Sequence, residues 1–236
     1  MKKAIVTGHT RGLGAAIAAE LQGRGIAVLG LARGRAELPG IEQVELDMAD
    51  AAALQAWLAG AALRNFLAGA DEVLLVNNAG VVTPVGPLAA QDPAEVLRAV
   101  ALNVAAPLAL AAAFVRAAPQ AGRRILHISS GAGRNAYPGW SVYCATKAAL
   151  DHHARAVLLD GDVRVRAASL APGVIDTDMQ TLIRATPDEH FPMRERFVEL
   201  KQTGALVAPG ECATAAVDYL LAPDFGSEPV DDLRGR

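Results

Sequence analysis

The sequence predicts a single α/β domain built on a doubly wound parallel sheet of about seven strands, with helices on both faces. Three observations carry that expectation. Short runs rich in Val, Ile and Leu alternate with longer Ala/Leu-rich stretches of helical spacing, the pattern of successive βαβ units. A glycine-rich turn, Thr7-Gly8-His9-Thr10-Arg11-Gly12-Leu13-Gly14, joins the first such run to the first such stretch. No internal repeat, low-complexity tract or linker divides the 236 residues, a length that one large core can absorb.

In chain order, a strand is expected over residues 3–7 and a helix over 13–24, where Ala, the strongest helix former, recurs. Residues 27–31 and 43–46 make the second and third strands. Only residues 33–42 separate them, and Pro39-Gly40 interrupts these, so a truncated helix is expected where a crossover normally takes about a dozen residues. A helix over 51–67, a strand over 72–77, a long helix over 93–118 and a strand over 124–129 follow. A helix over 142–159, a strand over 164–169, a helix over 210–221 and a weaker strand over 229–233 complete the pattern. Residues 179–203 read as an insertion within the domain 1–236 and are expected to form a substrate lid.

Composition narrows the function classes. The chain is 52% hydrophobic, yet no run of about eighteen apolar residues is free of charge, Gly or Pro, so no membrane span is expected. Two N-terminal lysines precede a hydrophobic stretch that stops at Gly8, too short for export, and a cytoplasmic protein is expected. Cys144 and Cys212 have no paired spacing and read as free thiols. A net charge of -3 without basic runs argues against nucleic acid and for a small-molecule partner.

The glycine turn has a chemical purpose. Its glycines let the backbone approach a pyrophosphate, and the helix N-terminus beyond offers free N–H groups and a positive dipole end. This makes the sheet Rossmann-type and implies a dinucleotide. His9 reads as a polar loop residue, since no second ligand stands at metal spacing and no metal centre is expected. At the end of the second strand, where an Asp would bind a ribose, the chain has Arg33, with Arg11 nearby and Arg35 in support. A guanidinium fork suits a 2′-phosphate and favours NADP(H). In the opposing reading the arginines are solvated and Glu37 takes the ribose of NAD.

Further on, Ser129-Ser130 ends a strand and Tyr143-Cys144-Ala145-Thr146-Lys147 begins a helix. Residues four apart share a helix face, so Lys147 can bring its ammonium near the Tyr143 phenol, and an adjacent cation favours phenolate. Tyr137, Trp140, Met179 and Phe191 could line an apolar pocket or simply pack.

Over nearly its whole length the chain resembles the short-chain dehydrogenase/reductase family. The turn Thr7 to Gly14, the stretch Asn77-Asn78-Ala79-Gly80, the set Asn103, Ser130, Tyr143 and Lys147, and Pro172-Gly173 match that family's motifs in order. The resemblance implies that Tyr143 is the general acid/base and that Ser130 holds the substrate oxygen. It implies that Lys147 binds the nicotinamide ribose and lowers the tyrosine pKa, and that Asn103 supports a water-linked proton path. It places Gly8, Thr10, Arg11, Gly12, Leu13 and Gly14 at the pyrophosphate, Asp47-Met48 at the adenine, and Asn78, Ala79 and Gly80 beside the adenosine half. Pro172, Gly173, Val174 and Thr177 would line the nicotinamide, while Asn77 would be structural. Residues 129–140 and 171–180 look like the bacterial benzil reductase and sepiapterin reductase branch, which implies NADPH-dependent reduction of vicinal diketones and related carbonyls. A homodimer, with a tetramer as the larger option, is also implied, through the helices after Ala90 and after Tyr143. The other functions weighed are an NAD-dependent secondary-alcohol dehydrogenase and a catalytically silent NADP(H)-binding regulator.

Overall fold

The computed structural model describes residues 1–236. Its strands are β1 (Lys2–Thr7), β2 (Ala27–Ala32), β3 (Glu42–Glu45), β4 (Glu72–Asn77), β5 (Gly122–Ile128), β6 (Val165–Ala171) and β7 (Val230–Asp232). They form one sheet in the order β3-β2-β1-β4-β5-β6-β7, with every neighbouring pair parallel. A parallel sheet is covered on both faces, so its central strands must be apolar throughout. Ala4, Ile5 and Val6 of β1 and Val73 to Val76 of β4 meet that demand and are fully buried. The strand order reverses between β1 and β4, which opens a crevice at their C-terminal ends, the usual ligand position in such sheets.

The helices are α1 (Gly12–Gly23), α2 (Ala51–Ala59), α3 (Ala62–Leu67), α4 (Pro93–Val100), α5 (Ala106–Ala117), α6 (Ser141–Leu159), α7 (Asp178–Ala185), α8 (Arg194–Gln202) and α9 (Pro209–Leu221). On one face α1 and α9 close a core that includes Ile17, Leu21, Val217 and Leu220. On the other face α2, α3 and α5 cover a second core around Leu54, Leu63, Leu110 and Phe114, with Val157 and Leu158 of α6 at its margin.

The expected architecture is present, and four local differences have physical causes. The helix expected over 51–67 breaks at Gly60 into α2 and α3. The helix expected over 93–118 contains a π turn at Ala101–Ala105, the kind of local irregularity often found at functional sites, and Asn103 lies in it. The combined run Pro93–Ala117 is long and apolar enough to cross a bilayer. Its apolar residues Ala106, Leu110, Ala111, Ala113 and Phe114 are used in the second core instead.

Third, the truncated crossover holds no helix at all. Residues 33–41 run as a loop in which Leu38 and Ile41 pack into the first core. The α1 side chain of Gln22 donates to Pro39 O at 2.6 Å, and Gly40 turns with φ +79°. Fourth, residues 179–203 are not a loose insertion. They lie almost wholly in α7 and α8 and the turn between them, where Arg194 Nε donates to Arg184 O at 2.8 Å. Phe191 and Phe197 join this pair of helices to a third cluster with Val82, Trp140 and Tyr143.

Candidate active site

The glycine turn follows β1 and is held from two sides. Gly8 N donates to Leu31 O at 2.8 Å, and Asn78 Nδ2 donates to Thr7 O at 2.9 Å. The Thr7 hydroxyl accepts from the N–H groups of Asn78 and Ala79, both at 3.0 Å. Glycine is required at position 14, because a Cβ there would lie 2.2 Å from Gly8 O. Gly12 (φ +55°) faces Thr177, whose methyl would stand 3.3 Å from a Cβ at 12. The N-cap of α1, Arg11, makes no side-chain capping bond, and the first turn carries no acid, so its N–H donors face a site suited to an anion. Thr10 is half-buried, while Leu13 is a core residue.

The segment Pro172 to Thr177 lies across from this turn. Pro172 O accepts from the Cys212 thiol at 3.5 Å, Gly173 takes φ +86°, and Val174 O accepts from Val207 N at 3.0 Å. Arg11 meets Asp178 at 2.9 Å, bridging the turn to the start of α7. These features fit a dinucleotide: a backbone cradle, an uncapped helix start and a second wall opposite.

On the adenosine side the arginines divide. Arg35 is paired with Glu45 at 2.8 Å. Arg33 is exposed and makes no ion pair, and Asp47, which feels its charge, is itself paired with Arg98 at 2.8 Å. Met48 points its side chain into the second core. Glu37 is exposed. His9, expected as a polar loop residue, lies in the glycine turn and is fully buried.

The four residues of the expected catalytic set come together at the C-terminal end of β5 and the start of α6. Tyr143 is 7% exposed and Lys147, one turn on, 5%. The Lys147 ammonium lies 5.6 Å from the Tyr143 ring centre and 3.8 Å from where a Cβ on Gly80 would sit. Ser130 caps the short turn that follows β5, accepting from Ala132 N at 3.2 Å. The buried amide of Asn103 accepts from Val81 N at 2.9 Å and donates to Val81 O at 2.8 Å and to Thr146 Oγ1 at 3.2 Å. That amide therefore fixes the chain beyond Gly80 to α6.

The electrostatics correct one expectation. Burial pushes the Tyr143 phenol up to about 12, and the Ser130 hydrogen bond offsets only part of this. The Lys147 ammonium donates to Ile128 O at 2.7 Å and makes no hydrogen bond to the phenol. The lysine is itself pulled down to about 8 by burial, against the opposing charge of Asp151. At neutral pH the phenol is held protonated, the form that can donate a proton to a developing alkoxide.

Asp151 is the residue that motif matching missed. It is 2% exposed and accepts from Ser129 Oγ and Ser169 Oγ, both at 2.6 Å, and from Arg134 Nε at 3.4 Å. It thus ties the end of β5, β6 and the turn after Ser130 to α6. The signal was present, because Tyr143, Lys147 and Asp151 stand at i, i+4 and i+8 on one helix face. Below them His127, fully buried, receives the Asn77 amide on Nδ1 and meets His153 through Nε2, each at 3.1 Å.

Of the expected pocket residues, Trp140 and Phe191 are buried and stacked with ring centres 4.5 Å apart. They serve packing first. Tyr137 meets Trp140 edge-on at 5.5 Å and, like Met179, stays partly exposed at the cluster margin. An open hollow of ≈ 360 Å³ beside α7, which sequence reasoning did not find, is bordered by Thr83, Val85, Glu95, Leu182, Thr186 and His190.

Comparison with known proteins agrees with this fold. The family model described as short chain dehydrogenase matches residues 2–188. A benzil reductase ((S)-benzoin forming) of Bacillus cereus is 31% identical, with 95% of this chain and 96% of that protein covered. A sepiapterin reductase of Meriones unguiculatus is 35% identical, with 94% and 92% covered. Among solved structures, a short-chain dehydrogenase/reductase from Burkholderia vietnamiensis is 52% identical with a TM-score of 0.72, covering 99% of this chain and 97% of that one. The KRED1-Pglu enzyme is 27% identical with a TM-score of 0.86, covering 98% and 100%.

Proposed function

Because this chain belongs to the short-chain dehydrogenase family, whose members are oxidoreductases that act on CH–OH and C=O groups with a nicotinamide cofactor, we propose that it reduces a ketone or α-dicarbonyl using NADPH. The observation that carries the reading is the buried, protonated Tyr143 phenol beside Ser130, with Lys147 one turn away. Reduction needs the acid form of this group, and oxidation needs the base.

A nicotinamide held there would supply the hydride for the carbonyl carbon. Ser130 holds the carbonyl oxygen, and Tyr143 transfers its phenolic proton to that oxygen as negative charge builds there. Lys147 stabilises the phenolate left behind, and Asp151 underneath keeps the ammonium and the Ser130 turn in place. The α1 N-terminus and Arg11 would hold the pyrophosphate, Arg33 the 2′-phosphate, and Pro172 to Thr177 the nicotinamide side. The pair α7–α8 would cover the substrate, with Tyr137 and Met179 at its apolar wall and the hollow bordered by His190 as its outer mouth. The benzil and sepiapterin reductase relatives support an α-dicarbonyl or related ketone as substrate.

A homodimer is part of the same proposal. Leu97 on α4 is 72% exposed and Leu88 just before it 79%, an apolar strip that a second copy would cover. Sedimentation of the wild type and of Leu97→Glu tests it: a dimer that dissociates in the variant supports the interface, and a monomeric wild type overturns it.

The function is tested by mixing the purified protein with NADPH and benzil and identifying the product. Oxidation of NADPH with formation of benzoin is expected. No turnover across a panel of diketones and aryl ketones, with NADPH bound, would contradict the reading.

A further inference from the structure

We infer that His9 is a positioning residue for cofactor selectivity, holding the Arg33 loop in place through Gln43 so that the chain distinguishes a 2′-phosphate from a free ribose. The inference rests on the NADPH reading above and accounts for two features of the chain, a histidine inside the glycine turn and a crossover that holds no helix.

The contacts form one continuous path. Ala36 N donates to Gln43 Oε1 and Gln43 Nε2 donates to Ala36 O, each at 3.0 Å. A backbone N–H can only donate, so this pairing fixes which way the Gln43 amide faces. The same Oε1 lies 2.9 Å from His9 Nε2, and an amide oxygen can only accept. His9 therefore carries its proton on Nε2, and the glycine turn donates, through one glutamine of β3, to the loop that replaces a helix. Ala36 lies three residues after Arg33, between Arg35 and Glu37.

The surroundings show that the histidine is built in. Its ring lies flat against Gly30 of β2, where a Cβ would come within 2.3 Å of the ring. The ring is fully buried, and Nδ1 has no partner. A buried polar ring with one unpaired nitrogen is costly as a mere filler, since an apolar side chain would occupy the space without that loss. What the histidine adds is the directed bond to Gln43. Elsewhere the loop is held by Gln22 at Pro39 and by the apolar contacts of Leu38 and Ile41, all beyond Ala36. Without His9 and Gln43, the segment carrying Arg33 is anchored only at its strand end and by the exposed Arg35–Glu45 pair, a weak tether. An exposed guanidinium on a freer loop loses more conformational entropy on meeting a phosphate.

Calorimetric binding of NADPH, NADH and adenosine 2′,5′-bisphosphate to the wild type, His9→Ala and Gln43→Ala tests the inference. In both variants NADPH and the bisphosphate are expected to bind about tenfold more weakly, with NADH changed by less than about twofold. Gln43→Ala, on a half-exposed strand position, keeps the test valid if the histidine variant folds poorly. Equal weakening of NADPH and NADH would reduce His9 to a packing residue and overturn the inference, as would no weakening at all. A wild type that binds NADH as tightly as NADPH would instead overturn the cofactor reading on which the inference rests.

Discussion

The two ends of the cofactor crevice are held together by opposite means. At the catalytic end the charged groups are buried and mutually satisfied: Asp151 collects two serines and an arginine, and Lys147 sits one turn above it with under a tenth of its surface exposed. At the adenosine end the charge-bearing residue, Arg33, is exposed on a nine-residue loop between β2 and β3, whose first half is held by the side-chain path from His9 to Ala36 and by the exposed Arg35–Glu45 pair. The difference teaches where each property can be altered. Buried charge couples chemistry to folding, so changes there cost stability as well as rate. Exposed charge on a held loop sets affinity and selectivity with little effect on the fold.

The sharpest way to break this contrast is to remove the buried hub. Asp151→Ala strands two buried hydroxyls without their acceptor and removes one of the partners of Arg134, and denaturant unfolding should show a loss of about 3 kcal/mol. A loss under about 1 kcal/mol would mean that the catalytic end is no more tightly built than the other. At the open end, Arg33→Ala should weaken NADPH about tenfold to a hundredfold, as loss of a charge-assisted contact implies, while the unfolding midpoint stays put. A large drop in stability there would erase the distinction from the opposite side.

Acid adds a third probe of the buried end. Burial holds His127 down at about 3 against an ordinary 6.5, and the charges of His153 and Lys147 act in the same direction. Between those values the unfolded chain binds a proton that the folded chain refuses. Stability contributed here is present above pH 6.5 and falls as pH drops toward 3, by up to about 1.4 kcal/mol per pH unit. Replacing the imidazole in His127→Gln should flatten the stability curve across that window relative to the wild type, and an unchanged slope would contradict the assignment. The smallest effect is expected at the Arg11–Asp178 pair, whose side chains are 71% and 73% exposed. Asp178→Asn should alter stability by under about 0.5 kcal/mol, as measured by the same unfolding experiment.

The alternation of strands and helices was legible because a covered parallel sheet forces apolar runs and a helical period between them, as β1, α1 and β4 show. The glycine turn and the grouping of Ser130, Tyr143, Lys147 and Asn103 were legible because their chemistry needs fixed residue types at fixed places. What escaped depended on contacts between distant segments. Gly60 gave local notice of the break between α2 and α3, but nothing local announced the π turn around Asn103. The burial of His9 had no local sign, because its partners, Gly30 and Gln43, come from neighbouring strands. Asp151 resembled any polar residue of an amphipathic helix until the ends of β5 and β6 were brought against it. The phenol was expected to be acidified by spacing alone, yet burial outweighs the lysine, whose ammonium is turned to Ile128.

Turnover of NADPH and benzil by Tyr143→Phe, measured with NADPH binding confirmed on the same sample, tests the central claim most directly. Loss of the one hydroxyl should lower kcat by at least about a hundredfold while the NADPH Kd holds, the loss expected for a general acid. Turnover at the wild-type rate would contradict the claim that Tyr143 protonates the carbonyl oxygen.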